Sequence, residues 1–142
     1  MKIYYPTERH DNQVLRGVAL GFFDGVHRGH QDLIRTLVHL SEQRGLTPSV
    51  YTFPEHPLET ISPEGQFAGY LSTLDQRLQR IADTGVAEVF LEPFTPAFAS
   101  LAPLDFLNSV LLERLNTRLI VVGQDYRFGH DGDGDLQLLQ TW

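Results

Sequence analysis

The apolar positions of this chain change period as the sequence advances, and each change predicts an element. Val18 to Phe23 is an apolar run bordered by glycines, as in a strand buried on both faces. Leu33, Ile34, Leu37, Val38 and Leu40 then recur at helical spacing, predicting a helix over residues 31–44 with Gly45 as its C-cap. Ser49 to Phe53 reads as a second strand, followed by a Pro/Gly-rich loop to about Tyr70. Ser72, with Asp75 three residues on, predicts the cap of a helix whose face is Leu74, Leu78 and Ile81 and which Gly85 ends. Val86 to Leu91 is a third strand. Thr95-Pro96 opens a helical turn, and Pro103 opens a longer helix, Leu104 to Leu115, with Pro at the first helical position in both. Leu119 to Val122 is a fourth apolar strand, Asp135 to Trp142 begins another helix, and Met1 to Tyr5 offers a strand at the start.

Strands and helices alternate, and the strands are apolar rather than alternating in polarity. That order predicts an α/β fold: a parallel sheet with right-handed crossovers and helices on both faces. Ligands of such sheets bind outside the carboxyl ends of the strands. Those ends are residues 21–30, 53–57, 92–94 and 123–129, which fall on one rim.

Composition narrows the chemistry. At 142 residues, 42% hydrophobic and 20% charged, the chain fits one ordinary globular domain. It has no apolar run near the ~20 residues of a membrane span, and MKIYYPTERHDN lacks the apolar centre of a signal peptide. A cytoplasmic location is therefore expected. Without cysteine there is no disulfide, thiolate metal site or Cys nucleophile. A net charge of −7 argues against a broad nucleic-acid or lipid surface. Lys2 is the single lysine, so no P-loop lysine is available.

Three rim segments carry unusual residues. In GFFDGVHRGH, Gly21 and Gly25 sit where backbone must turn tightly or approach a ligand. His27 and His30 stand three apart at a helix start, so both rings can face one side. Gly29 between them leaves room for a phosphate against exposed amides and the positive end of the helix dipole, and Arg28 adds charge. This arrangement suits charge developing on a transferring phosphoryl group. The plainer reading is that Asp24 and the histidines cap the helix. In TFPEHP, Thr52 at a strand end can bond a ligand and His56 is held between prolines, although a Pro-stiffened loop explains the same residues. In GQDYRFG, Tyr126 and Phe128 alternate with Asp125 and Arg127, which suits a flat heterocycle bearing a phosphate or simply a sheet continuing. A zinc site of His27, His30, His56 and His130 competes, but i, i+3 spacing across a glycine fits zinc poorly. HDGDGD imitates the front of a calcium loop, yet Trp142 stands at the twelfth position where the bidentate Glu belongs.

Taken in order and spacing, GFFDGVHRGH, TFPEHP, YLSTLDQRLQRIADTGV and VVGQDYRFG resemble bacterial FAD synthetase. More fully, they resemble the FMN adenylyltransferase domain of bifunctional riboflavin kinase/FAD synthetase, in the His-x-Gly-His nucleotidyltransferase superfamily with its Rossmann-like fold. The resemblance implies transfer of AMP from ATP, with Mg²⁺, to the phosphate of FMN, giving FAD and pyrophosphate without a covalent enzyme intermediate. It implies that His27 and His30 stabilise the α- and β-phosphates. Gly21, Phe22, Phe23, Asp24, Arg28 and Gly29 would line the nucleotide, and Thr52, Phe53, His56, Pro57, Asp125, Tyr126, Arg127 and Phe128 would cradle the flavin. The family pattern continues to a further strand with an Ile-Ser-Ser-Thr-Arg-like motif and to a riboflavin kinase barrel. Residues 1–142 are accordingly read as the adenylyltransferase domain lacking its C-terminal end. Where the family loop after GQDYRF is often basic, HDGDGD here places three aspartates that would repel a flavin phosphate unless magnesium or Arg127 intervenes. A flavin- or nucleotide-binding module without catalysis is the alternative, and a cytidylyltransferase of small phosphorylated alcohols a more distant one.

Overall fold

A computed structural model describes residues 1–5, 13–24, 28–54 and 73–142. Its centre is one fully parallel five-stranded sheet. The strands are β1 (Lys2–Tyr4), β2 (Arg16–Leu20), β3 (Thr47–Thr52), β4 (Glu88–Leu91) and β5 (Thr117–Val121), in spatial order β1-β4-β3-β2-β5. The chain steps outward from β2 to β3 to β4, then returns to place β5 on the far side of β2. The direction of winding therefore reverses between β2 and β5, which is where open α/β sheets form a ligand crevice at their carboxyl edge. β1, which the amino-terminal apolar residues predicted, is the outer strand beside β4, with Ile3 opposite Val89.

Side chains alternate across the sheet into two cores. Val18, Leu20, Tyr51 and Phe90 pack on one face against Phe106, Leu107, Val110, Leu111 and Leu115. Ala19, Val50, Val89 and Leu91 pack on the other against Ile34 and Leu37 of α1 (Arg28–Gln43) and Ile81 of α2 (Leu74–Ala82). The segments that alternate into the two cores, Val18–Leu20, Val50–Tyr51 and Val89–Leu91, are apolar on both faces, and buried Arg16, Ser49 and Glu88 lie toward the amino ends of the strands. Gly17 allows α1 to sit close on β2, because a Cβ there would overlap the Ser41 hydroxyl. Gly45 and Gly85 adopt φ of +67° and +90° just past the ends of α1 and α2, as the sequence predicts.

Several expectations are corrected. The first apolar run does not continue as strand to Phe23: β2 stops at Leu20 because Phe23 takes φ of +60° and its ring folds back on Gly21. The cap of α2 is Thr73, not Ser72, which lies outside the described residues. Thr73 Oγ1 accepts from the Gln76 amide at 3.1 Å, and Gln76 Oε1 accepts from the Thr73 amide at 3.0 Å, a reciprocal box that Asp75 is one position too early to make. The helix expected over residues 104–115 starts as a short α-helical turn, α4 (Pro103–Asp105), after α3 (Pro96–Ala99). It continues as a π-helix over Phe106–Arg114, closed by a bond from the Leu115 amide to the Val110 carbonyl. Its buried positions are Phe106, Leu107, Val110 and Leu111, followed by buried Leu115 five residues beyond Val110. A 3₁₀ turn, His130–Gly132, and α5 (Leu136–Thr141), capped by Asp135, complete the chain.

The amino edge of the sheet holds a buried ion pair that sequence patterning did not suggest. Arg16 Nε donates to Glu88 Oε1 at 2.7 Å, Ser49 Oγ donates to the same oxygen at 2.8 Å, and Arg16 Nη1 reaches the Leu115 carbonyl at 3.2 Å.

Candidate functional site

At the carboxyl edge, the turn between β2 and α1 is shaped by Phe23. Its left-handed backbone is costly for a residue with a β-carbon, and burial of its ring in the core beneath α1 compensates. The ring stands edge-on to His30, with centroids 5.4 Å apart at 85°, and sets the direction of that imidazole in the first turn of α1. Two sequence readings change here. At Gly21 a Cβ would lie 2.9 Å from the Phe23 ring, so the packing of the turn itself favours glycine there. Phe23 itself belongs to the core and presents no face to the rim. Phe22 and Asp24 are half-buried at the rim, and Arg28 and Gly29 are exposed at the start of α1. His27 and Gly25 lie outside the described residues, as do His56 and Pro57.

Thr52, expected to reach a ligand, instead donates its buried hydroxyl to the Phe22 carbonyl at 3.0 Å. The same carbonyl accepts from Arg77 Nη1 at 3.1 Å. Arg77, on α2, is 2% exposed, and its Nη2 donates to the carbonyls of Phe53 at 2.6 Å and Pro54 at 3.3 Å. The Phe22 ring lies over the guanidinium, 4.1 Å from centroid to carbon. One side chain thus fastens the β2–α1 turn to the end of β3. Sequence reasoning passed over Arg77, although a signal existed: it sits in the apolar stripe of Leu74, Leu78 and Ile81, where a solvated arginine has no place.

Beside this clasp a cavity of about 530 Å³ opens among the ends of β3, β4 and β5. Its wall is a chain of ring contacts: Phe53 to Phe94 at 5.0 Å, Phe53 to Phe98 at 5.5 Å, Phe98 to Phe106 at 6.0 Å and Phe106 to Phe128 at 5.7 Å. Tyr126 stacks nearly parallel on Phe128, at 5.9 Å and 18°. The expected residues Phe53, Tyr126, Arg127 and Phe128 therefore come together on one cavity. Asp125 does not line it; it borders a smaller polar recess with Arg127 and Asp135. Phe98 and Phe106 were missed because an aromatic at helical spacing reads as ordinary core, while Phe94, three residues past the end of β4, lay in the rim segment 92–94 without being singled out.

The HDGDGD segment closes one side of the cavity. Phe128 and Gly134 exchange backbone bonds at 3.1 and 2.8 Å, and the Phe128 ring lies on Gly134, where a Cβ would meet it at 2.5 Å. Gly129, at φ of +78°, presses on Pro103 of α4. The three aspartates are not equivalent. Asp135 Oδ1 accepts from the Leu138 amide at 3.0 Å as the cap of α5 while its Oδ2 stands 3.8 Å from Arg127 Nη1, whereas Asp131 and Asp133 are exposed. Asp131 alone of them reaches the cavity rim.

Beneath the cavity, Tyr51 donates to Glu92 at 2.8 Å, and Arg114 donates to the same oxygen at 3.1 Å. Burial first, then the neighbouring Glu92 carboxylate, holds the Tyr51 phenol well above its ordinary range. Burial raises the Tyr126 phenol likewise. Both stay neutral donors at physiological pH. Among the described residues no three His, Asp or Glu side chains converge as a metal cage. No helix among them is long and apolar enough to cross a membrane.

An open parallel sheet whose winding reverses beside a glycine-bearing strand-to-helix turn, with a histidine in the first helical turn, defines a Rossmann-like nucleotidyltransferase fold. The family model for FAD synthetase matches residues 9–142, and the chain belongs to that family. It is 36% identical over 119 residues to the bifunctional riboflavin kinase/FMN adenylyltransferase of Listeria monocytogenes, covering 84% of this chain and 38% of that protein. Against the Bacillus subtilis protein of the same description identity is 32%, covering 98% and 45%, and against the Escherichia coli K12 protein it is 35%, covering 87% and 39%. The chain thus spans less than half the length of these relatives. A solved structure described as a macrolide-efflux protein from Streptococcus pneumoniae superposes with a TM-score of 0.86 at 28% identity, covering 99% of this chain and 47% of that one.

Proposed function

We propose that this chain carries the adenylyl-transfer site: a phosphate oxygen of FMN attacks the α-phosphorus of ATP, a new P–O bond forms as the α–β P–O bond breaks, and pyrophosphate leaves. The observation that carries the reading is the aromatic cavity lying one side chain away from the β2–α1 turn, with Phe53 on its wall and the Phe53 carbonyl tied through Arg77 to Phe22. A flat tricyclic ring fits a cavity lined by six aromatic rings, and such sites are mostly apolar with few polar groups at the mouth. Arg127 at the rim offers the flavin phosphate a guanidinium.

In this reading His30, aimed by Phe23 at the amino end of α1, stabilises charge on the transferred and leaving phosphates together with His27. Arg28 and the Gly29 amide add to the positive field there. Gly21, Phe22 and Asp24 frame the nucleotide side, Gly21 and Phe23 by shape rather than contact. Thr52 acts indirectly, by holding the Phe22 carbonyl. His56, Pro57 and Asp125 stay assigned to the flavin side. Mg²⁺ is typically bound through substrate phosphates with one or two carboxylates, so the cation would arrive with ATP and neutralise its phosphates. Both substrates are small phosphorylated metabolites, which accords with the expected cytoplasmic location.

The test is chromatographic detection of FAD after incubation with FMN, ATP and Mg²⁺. Turnover should fall on the order of 10²–10³-fold in His30→Ala, as when one preorganised donor is deleted. Saturable binding of both substrates with no FAD formed would instead establish a binding module. Binding of neither substrate would remove the reading altogether.

A further inference from the structure

We propose that Arg77 is a positioning residue that couples the nucleotide and flavin subsites, so that occupation of one prepares the other. The inference rests on the adenylyl-transfer reading but concerns a residue that lines neither the cavity nor the phosphate-facing turn.

The connection is continuous. The Phe53 ring forms part of the cavity wall, while its carbonyl and that of Pro54 are held by Nη2 of Arg77. Nη1 of the same guanidinium holds the Phe22 carbonyl, and the Phe22 ring covers its face. Phe22 precedes Phe23, whose ring orients His30. A guanidinium is planar, and its donors have a fixed geometry, so the two loops cannot shift independently while both are bonded to it. A flavin that fixes Phe53 also limits the positions open to Phe22, and a nucleotide that orders the β2–α1 turn does the same in reverse. The ordering cost is then met once for two ligands, which is positive cooperativity without a change of fold. Linkage requires the effect to be equal in both directions.

A merely structural arginine would weaken stability and both affinities together, whereas a coupling arginine changes the dependence of one affinity on the other ligand. The measurement is a flavin-fluorescence titration of FMN on the full 142-residue chain, with and without a non-transferring ATP analogue bridged by methylene between the α- and β-phosphorus, in Mg²⁺. The analogue should tighten FMN binding about tenfold in the unmodified chain, within the usual range of site–site coupling. In Arg77→Met each ligand should still bind alone, but the analogue should change FMN affinity less than about twofold. Arg77→Lys keeps charge and donors while losing the planar fork, and should recover part of the effect.

Undiminished coupling in Arg77→Met, or no coupling in the unmodified chain despite binding of both ligands, overturns the proposal alone. Failure of the unmodified chain to bind either ligand overturns the adenylyl-transfer reading and takes this one with it. Amide exchange on the unmodified chain decides the matter even if Arg77→Met does not fold. FMN alone should slow exchange at residues 20–24, the ATP analogue alone should slow it at residues 52–53, and confinement of each effect to its own loop refutes the coupling.

Discussion

Two arginines are buried at opposite edges of the same sheet, and they hold different things. At the amino edge, Arg16 joins β2 to β4 through the Glu88 carboxylate, with β3 contributing Ser49 to the same oxygen. At the carboxyl edge, Arg77 reaches from a helix to the carbonyls of two loops. The first arrangement fixes strands that the ladder already aligns. The second fixes loops that have no ladder. A charge paired with a carboxylate inside the protein is rigid and intolerant of loss, while main-chain carbonyls near a rim have water as an alternative partner. The two edges should therefore fail differently.

The largest effect is expected at the amino edge. Arg16→Met leaves Glu88 buried without its cation and should cost about 3–5 kcal/mol in urea unfolding, with FMN affinity of the remaining folded protein unchanged. A loss below about 1 kcal/mol would erase the distinction between the edges. Arg77→Met should cost less, about 2 kcal/mol, because Thr52 still serves the Phe22 carbonyl and the Phe53 and Pro54 carbonyls can turn to water. Its signature is in ligand coupling instead. Thr73→Ala removes the capping box of the helix that carries Arg77 and should cost about 1 kcal/mol by thermal unfolding, with only a slight change in binding.

The smallest effect is a pH dependence. The Tyr51 and Tyr126 phenols are raised in the folded chain, so unfolding releases protons more readily above the ordinary tyrosine value near 10. Their contribution to stability is whole below that pH and declines as pH rises beyond it. Tyr51→Phe should flatten the decline between pH 10 and 11 without abolishing it, since Tyr126 remains. An unchanged slope would mean that the Tyr51 phenol is not raised in the folded chain.

The class of fold was legible because short apolar runs, Val18–Leu20, Val50–Tyr51 and Val89–Leu91, are separated by helical periods. The strand order was not. Nothing in the apolar pattern says that β1 pairs with β4 or that β5 crosses to the far side of β2, since that depends on which helix face meets which strand. At the site, sequence located the rim segments but misread what several residues do there. Gly21 and Thr52 have the residue types of ligand contacts, yet a ring of the same turn and a carbonyl thirty residues away claim them. Phe98 and Phe106 have the appearance of core, and the cavity exists because the core is left open at that edge. Arg77 could have been found, as a charge in an apolar stripe, but its three carbonyl partners are set by loop geometry and leave no trace in residue type.

The Arg77 clasp also bears on how such a site could be moved or altered. Loops after parallel strands are usually regarded as interchangeable parts, lengthened or grafted without regard to one another. Here the turn after β2 and the end of β3 share a fastener that belongs to neither, on a helix entered some twenty residues later. Transplanting the His-bearing turn to another sheet would bring its own side chains but leave behind what sets their height relative to the aromatic cavity. The smallest portable unit is three segments, and the helix is one of them.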